Sequence, residues 1–340
     1  MSAGLMAAWR RVAHRLPLAA ASLGAALLAF SPPAAAQSAS LGLCERGASL
    51  SASDQDLVLR FTAIVLRELQ GSGARTALVS RAGTDLRRFG IRYSHAGMAL
   101  QDNPEGTWAV RQLYYVCDES RPRLFDQGLG AFLLAGKATG STFVSIVTLP
   151  EDSQPGSQGA APDPQKGPER PLHDRLLDTA TALALLSPSY SANAYAFGLR
   201  HQNCNQWVAE MMAAAWDPAF EQAVEPVGPR QYDRRRAQAW LQAAGYQPTR
   251  IQVGSHGLMF IGQWIPLLHM DDHPLDDLYA LRMQVSLPGA LEAFLHQQVP
   301  SARRVEVCLR DRQVVVHRGW SSLGDDCQPV DPLDEVRTLD

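Results

Sequence analysis

His201-Gln202-Asn203-Cys204-Asn205-Gln206-Trp207-Val208 places a thiol at the start of a predicted helix that is buried on one side. A helix N-terminus carries partial positive charge and free backbone N–H groups, and both favour a thiolate over a thiol. We therefore expect Cys204 to have a lowered pKa and to act as a nucleophile. Gln202, Asn203 and Asn205 are candidates for oxyanion or capping contacts, and Asn203 is expected to be the N-cap.

A second stretch, Tyr93-Ser94-His95-Ala96-Gly97-Met98, is typical of a strand, with small residues after the histidine. A histidine on a strand that faces the helix serves a cysteine nucleophile as base and later as acid. A third polar group usually orients the imidazole, and we expect it on the neighbouring strand. Gln112 is the candidate, because Arg111 points to the opposite face of a regular strand. The sequence thus predicts Cys204, His95 and Gln112 as one catalytic group.

The histidine strand precedes the cysteine helix, and this order resembles that of the permuted papain-like thiol hydrolases. The matching residues are Ser94-His95-Ala96-Gly97 and Asn203-Cys204. This clan has relatives in NlpC-type cell-wall peptidases and in lecithin retinol acyltransferase. The resemblance implies an α+β fold, with a permuted papain-like (NlpC-type) core of antiparallel sheet packed on helices. Many permuted members carry histidine or an acid as the third residue, and Gln112 departs from that pattern.

Two stretches more closely resemble an uncharacterised family of exported bacterial proteins, described only as a domain of unknown function. They are residues 76–100 and 201–210, and the resemblance extends over about half of the chain beyond its leader. Together with the resemblance to the permuted thiol hydrolases, the pair of Cys204 and His95 predicts an exported cysteine hydrolase or acyltransferase acting on an amide or ester of an envelope-derived peptide, lipid or protein. The alternative is a non-catalytic periplasmic binding or assembly module on the same fold, which the weak orienting group Gln112 favours.

Periodicity and turn signals predict strands first, then helices, then more strands, which is the order of an α+β fold. Strands are predicted at 76–80, 93–100, 107–116, 141–149, 249–253 and 279–286, with a hairpin at 303–318. Helices are predicted at 53–70, 128–136, 172–186, 204–216, 230–244 and 289–298. The predicted organisation is a core at 37–246 with a linker at 151–171, followed by a C-terminal α/β extension at 247–340 that is continuous with the core.

Residues 1–36 have the pattern of a cleaved signal peptide. Three arginines precede an apolar run at 16–30, and Ala34-Ala35-Ala36 forms a cleavage site. We therefore expect a periplasmic or secreted protein with no transmembrane anchor after cleavage. The whole chain has a formal net charge of −3, and removal of the three arginines lowers it to −6. An acidic chain without basic runs argues against nucleic acid as a partner.

The five cysteines all lie beyond this leader, in a compartment where cysteines usually pair. Cys308 lies in the predicted hairpin and Cys327 follows it, and the two are expected to form a disulfide. Cys44 and Cys117 are then left to pair with each other, and the odd count leaves Cys204 as a free thiol. This pairing is not fixed, because disulfide connectivity does not follow from sequence. A disulfide at Cys204 would exclude the nucleophile. A lone cysteine at a helix start is also often a small core residue.

A second histidine cluster lies at 269–277, where two histidines four residues apart have carboxylates nearby. His269, Asp271 and His273 are therefore candidate metal ligands. Pro274 follows directly and disfavours a long helix, so a solvated acidic loop is the simpler expectation. No glycine-rich phosphate loop or dinucleotide fingerprint occurs, and we expect neither a metal nor a cofactor.

Overall fold

The structure is a computed structural model that describes residues 50–135, 141–149, 169–219 and 233–339. The predicted signal peptide, Cys44 and most of the predicted linker at 151–171 lie outside the described residues. The part from Leu43 to Asp340 forms one compact unit. None of the helices in the described ranges is long and apolar enough to span a bilayer.

The described residues form ten strands and nine α-helices. The strands are β1 (Thr76–Arg81), β2 (His95–Leu100), β3 (Ala109–Val116), β4 (Arg121–Gln127), β5 (Thr142–Thr148), β6 (Thr249–Gln252), β7 (Arg282–Val285), β8 (Arg303–Arg310), β9 (Gln313–Arg318) and β10 (Glu335–Thr338). The helices are α1 (Ala52–Gly71), α2 (Leu129–Leu134), α3 (Glu169–Leu177), α4 (Thr179–Ala184), α5 (Cys204–Trp216), α6 (Arg234–Ala243), α7 (His256–Gly262), α8 (Leu275–Tyr279) and α9 (Pro288–Gln298).

Eight of these strands form one sheet in the order β10-β9-β8-β5-β1-β2-β3-β4, and every neighbouring pair is antiparallel. The expected α+β class is confirmed at this level, as a large antiparallel sheet with several helices. Strands β8 to β10 come from the C-terminal third of the chain and extend the same sheet beyond β5. A separate two-stranded sheet joins β6 to β7.

Each face of the large sheet carries its own apolar core, because alternate residues of a strand point to opposite faces. On one face, Leu78 and Met98 belong to the cluster around Trp207 of α5. On the other face, Val79 packs in the cluster with Phe61 of α1. Strand β1 is therefore buried along its whole length.

Helix α5 is buried on nearly all sides, so the expectation of a single buried face is wrong. All of its residues except Ala215 are buried, because α3, α6, α9 and the sheet surround it. A helix that is apolar all round belongs to the interior of a protein. The helix that carries Cys204 is thus fixed in place by packing from several directions.

Some elements differ from the sequence-based expectations. The helix predicted at 172–186 is two helices, because the side chain of Asp178 accepts a hydrogen bond from Ala180 N and caps a new start. Strand β4 was not predicted, since its sequence contains arginines and a proline. It pairs with β3 along seven residue positions at the edge of the sheet, where proline and charge are tolerated.

Candidate functional site

The structure brings Cys204, His95 and Gln112 together. His95 is the first residue of β2 and Cys204 the first of α5, and His95 Nδ1 lies 3.0 Å from Cys204 Sγ. The other ring nitrogen, Nε2, lies 2.5 Å from Gln112 Oε1. The thiol, the imidazole and the amide therefore form a continuous hydrogen-bonded chain. Arg111 points to the opposite face, as expected, and pairs there with Asp126.

The N-terminus of α5 is docked directly on β2. Asn205 Oδ1 accepts a hydrogen bond from Ala96 N at 3.0 Å, and Asn205 Nδ2 donates to Ser94 O at 3.1 Å. This side chain thus binds the backbone on both sides of His95 as a neighbouring strand would. The contact sets the separation between Cys204 and His95, because it joins the helix to the strand at the residues next to these two.

Asn203 is the N-cap of α5, since its Oδ1 accepts from Gln206 N at 2.7 Å. Gln202 is fully buried and donates to Leu185 O and to Glu210. These two candidates for oxyanion contacts therefore have structural partners, and Asn205 is engaged with β2. The groups left to stabilise an oxyanion are the backbone N–H donors at the helix start.

The orientation of the Gln112 amide determines which nitrogen of His95 carries the proton. Gln112 Nε2 donates to Gln127 Oε1 at 2.7 Å, so Gln112 Oε1 faces His95 as an acceptor. His95 Nε2 then carries the hydrogen, and Nδ1 is left with its lone pair toward Cys204. This tautomer is the one that accepts a proton from the thiol.

Burial dominates the ionisation of the pair. Cys204 is only 4 % exposed, and burial raises the pKa of its thiol to about 11, although Arg81 and the N–H groups of Asn205 and Ala96 act in the opposite direction. Burial, followed by the charge of Arg81, lowers the pKa of His95 to about 3. The expected lowered pKa of Cys204 is therefore wrong, because desolvation outweighs the helix terminus. In the resting site a neutral thiol donates to a neutral imidazole.

Sequence reasoning missed several residues that build this site. Glu210, fully buried in α5, pairs with Arg234 at 2.9 Å. Arg234 also donates to the carbonyl oxygens of Gly198, Leu199 and His201, in the loop before Cys204. The signal in the sequence was a lone acid inside an apolar helix, which requires a buried partner.

The three candidate metal ligands do not lie in one cluster. His269 and Asp271 group with His201, and one ligand atom from each lies within 4.8 Å of the others. His201 Nε2 lies 2.8 Å from Asp271 Oδ1, and its ring stacks on that of His269 with centroids 4.3 Å apart. His273 is excluded from this group, because its Nε2 is hydrogen-bonded to the carbonyl oxygen of Asn193 at 2.8 Å.

The cysteines beyond the site are paired where the structure describes them. Cys308 and Cys327 form a disulfide, which confirms that predicted pair. Cys117 is disulfide-bonded, and Cys44 lies outside the described residues. Cys204 is the free cysteine of the described ranges.

Residues 68–295, more than half of the chain, match the family described as "Uncharacterized protein conserved in bacteria (DUF2145)". The chain belongs to this family. The part matched by DUF2145 contains Cys204, His95 and Gln112, and it ends inside α9. The resemblance to a bacterial family of unknown function is thereby confirmed. No curated protein and no solved structure is significantly similar to the chain.

Proposed function

We propose that this DUF2145 chain is a cysteine hydrolase or acyltransferase on a permuted papain-like core. The observation that carries the proposal is the hydrogen-bonded order of Cys204, His95 and Gln112, with 3.0 Å between Sγ and Nδ1. A nucleophile, a base within hydrogen-bond reach and a group that orients the base are the parts that acyl transfer requires.

The reaction begins from the neutral pair. As Cys204 Sγ attacks the carbonyl carbon of an amide or ester, His95 Nδ1 takes the thiol proton, and the carbonyl oxygen becomes an oxyanion. Collapse of the tetrahedral intermediate breaks the bond to the leaving amine or alcohol, which receives that proton from His95. The acyl group remains on sulfur as a thioester, and water or an acceptor nucleophile then releases it by the reverse sequence.

The start of α5 supplies the electrostatic stabilisation for this path. Burial raises the pKa of the thiol, and the backbone N–H groups of Asn205, Ala96 and Cys204 act in the opposite direction. Donors fixed in a buried place stabilise a developing negative charge without reorganising. Gln112 keeps the imidazole in the required tautomer. When His95 is protonated, the amide oxygen of Gln112 accepts a hydrogen bond from the positively charged ring.

The N-terminal sequence supports the proposed compartment, and through it the proposed substrate class. Residues 1–36 have the order of a signal peptide, so we propose action in the periplasm or outside the cell. The substrate is then an amide or ester in an envelope-derived peptide, lipid or protein. The charge pattern does not favour nucleic acid.

A non-catalytic binding or assembly module is the second candidate function. The specific observation in its favour is the low exposure of Cys204, at 4 %, together with the raised pKa of its thiol. In that case the Cys204–His95 bond would stabilise the contact between α5 and β2 and would have no chemical role.

Acylation of Cys204 by p-nitrophenyl acetate distinguishes the two functions. The protein purified after signal cleavage is expected to release a burst of p-nitrophenol and to carry an acetyl group on Cys204, located by peptide mass mapping. His95→Ala is expected to slow the burst about 10²-fold or more, because general-base assistance is worth that factor. Cys204→Ser serves as the control for acylation at other sites.

The proposal is contradicted if the native protein acquires no acetyl group on Cys204. It is equally contradicted if His95→Ala is acylated at the wild-type rate, since the histidine would then have no role in the chemistry. Both variants are checked by circular dichroism, so that a loss of acylation is not mistaken for a loss of fold.

A further inference from the structure

Arg81 is a buried arginine beside the Cys204–His95 pair. It is the last residue of β1 and lies directly opposite His95 in the antiparallel register of β1 and β2. Residues directly opposite in an antiparallel pair project from the same face of the sheet. The guanidinium stacks over the ring of Phe132, 4.7 Å from its centroid, and Phe132 also packs against the imidazole of His95.

The surroundings of Gly83 show that the side chains of Arg81 and His95 lie close together. A Cβ atom on Gly83 would lie 3.3 Å from His95 Cβ and 3.6 Å from Arg81 Nη1. The guanidinium of Arg81 and the side chain of His95 therefore border the same glycine. Burial is the larger cause of both pKa shifts, raising that of Cys204 and lowering that of His95, and the charge of Arg81 acts to lower both, as a cation close to the reacting sulfur would.

Arg81 differs from the other buried arginines of the described ranges in having no carboxylate partner. Arg111 pairs with Asp126 and Arg234 with Glu210, while Arg304 pairs with Glu292. Arg81 is 5 % exposed, its Nη1 donates to Ala82 O, and its Nε has no hydrogen-bond partner among the described residues. A buried cation without a counter-charge is costly, and an anionic ligand would remove that cost.

We propose that Arg81 binds a carboxylate of the substrate, next to the carbonyl that Cys204 attacks. The substrate class is then an amide or ester that carries a carboxylate close to the bond that is broken. The free Nε–H edge of a planar guanidinium matches the two oxygens of a carboxylate. This inference rests on the proposed function, because it assigns the substrate of the same site.

Two alkylating reagents of nearly equal size test this role. Iodoacetate and iodoacetamide both form an S–CH2 bond with loss of iodide, and the thiol proton passes to His95, but only iodoacetate carries a carboxylate. We measure the ratio of their rates at Cys204 in the full protein purified after signal cleavage, and divide it by the ratio for free cysteine in the same buffer. The relative preference for iodoacetate is expected to be about tenfold, as for one charge-assisted contact.

Arg81→Gln removes the charge and is expected to return the relative preference to that of free cysteine. Arg81→Lys keeps the charge without the planar fork, and an intermediate preference is expected. A ratio of two rates is insensitive to a general change in thiol reactivity, so it separates anion binding from mere stabilisation of the thiolate. Should Arg81→Gln not fold, the wild-type ratio and its decrease with added salt remain decisive.

The outcomes separate this inference from the proposed function. If both reagents label the native protein and the relative preference is absent, Arg81 binds no carboxylate while the nucleophile stands. If neither reagent labels Cys204 until the protein is denatured, the proposed function and this inference fail together. Protection against iodoacetamide by succinate is expected, and protection by inorganic phosphate alone would overturn the carboxylate assignment.

Discussion

Gly97 lies so close to Gln112 that a Cβ atom on the glycine would be 3.2 Å from the Cβ of Gln112. The same atom would be 2.4 Å from Val110 Cγ1, a distance at which something must move. The lack of a side chain on β2 therefore allows β3 to approach, and this approach brings the Gln112 amide to His95. The glycine two residues after the histidine is part of the geometry of the site.

Gly97→Ala is expected to destabilise the protein by about 1–3 kcal/mol, as overpacking of a filled interior does. It should also weaken the contact between Gln112 and His95, because β3 must shift to make room. The free energy of unfolding, measured in urea, checks the first effect. The rate of Cys204 acylation, measured under native conditions, checks the second.

Gly71→Ala is the matched control, since a Cβ at Gly71 meets no atom within 4 Å and the residue ends a helix. This variant is expected to be neutral or slightly stabilising. Equal effects of the two substitutions on stability would show that the space around Gly97 is not restrictive.

Local patterns predicted those parts of the site that depend on residue type and periodicity. The helix at Cys204–Trp216 and its Asn203 cap followed from an apolar period behind a capping residue. Gln112 followed from the alternation of β3, which placed Arg111 on the other face. These features are encoded within a few residues, which is why the sequence alone carries them.

The ionisation of the site depends on burial from distant segments and was not predictable. The thiol of Cys204 has a raised pKa because α5 is enclosed on nearly all sides, and the sequence of α5 does not show which segments of the chain enclose it. The unpaired state of Arg81 depends on which acids other strands bring near it. Strand β4 also depends on another part of the chain, because its own sequence does not favour a strand and its pairing with β3 stabilises it.

The lowered pKa of His95 predicts a loss of stability in acid. The pKa is about 3 in the folded protein and about 6.5 in the unfolded chain. Below pH 6.5 the unfolded chain binds a proton that the folded protein does not, so stability falls as the pH decreases toward 3. The loss is at most about 1.4 kcal/mol per pH unit. His95→Asn should remove this contribution, as measured by urea unfolding at pH 7 and pH 5.

All other histidines are common to the two proteins, so the difference in stability between wild type and His95→Asn isolates the contribution of His95. His256→Asn, at an exposed position, is the matched control and should keep the wild-type dependence on pH. If His95→Asn and the wild type lose equal stability between pH 7 and pH 5, His95 takes up its proton equally in both states and the argument from burial fails.

Gln127 is expected to affect the proposed reaction through Gln112. Its Oε1 accepts from Gln112 Nε2 at 2.7 Å and so keeps the amide oxygen toward His95. Gln127→Leu removes that acceptor, and the amide of Gln112 can then turn its NH2 group to the imidazole. The rate of Cys204 acylation should fall by about tenfold, and by a similar or greater factor in Gln112→Leu.

The double variant separates positioning from an independent effect. Since Gln127 acts through Gln112, Gln127→Leu should change little once Gln112 is already Leu. NMR of the His95 ring should show the proton leaving Nε2 in the Gln127→Leu variant. Additive effects of the two substitutions would mean that Gln127 does not orient the amide.

The buried pair of Glu210 and Arg234 is expected to be the most sensitive polar contact behind the site. Glu210→Ala leaves Arg234 without its counter-charge in the interior, which costs about 3–5 kcal/mol. Because Arg234 also binds the carbonyl oxygens of Gly198 and His201, the loop before Cys204 should loosen. Hydrogen exchange of the α5 amides should increase together with the loss of stability in urea.

The pair of Asp56 with Arg60 is the matched control, because it joins a carboxylate and an arginine on the exposed surface of α1. Asp56→Ala should change the free energy of unfolding by about 0.5 kcal/mol or less. A similarly small effect of Glu210→Ala would show that water reaches Arg234. The N-terminus of α5 would then be held mainly by Asn205 and its bonds to β2.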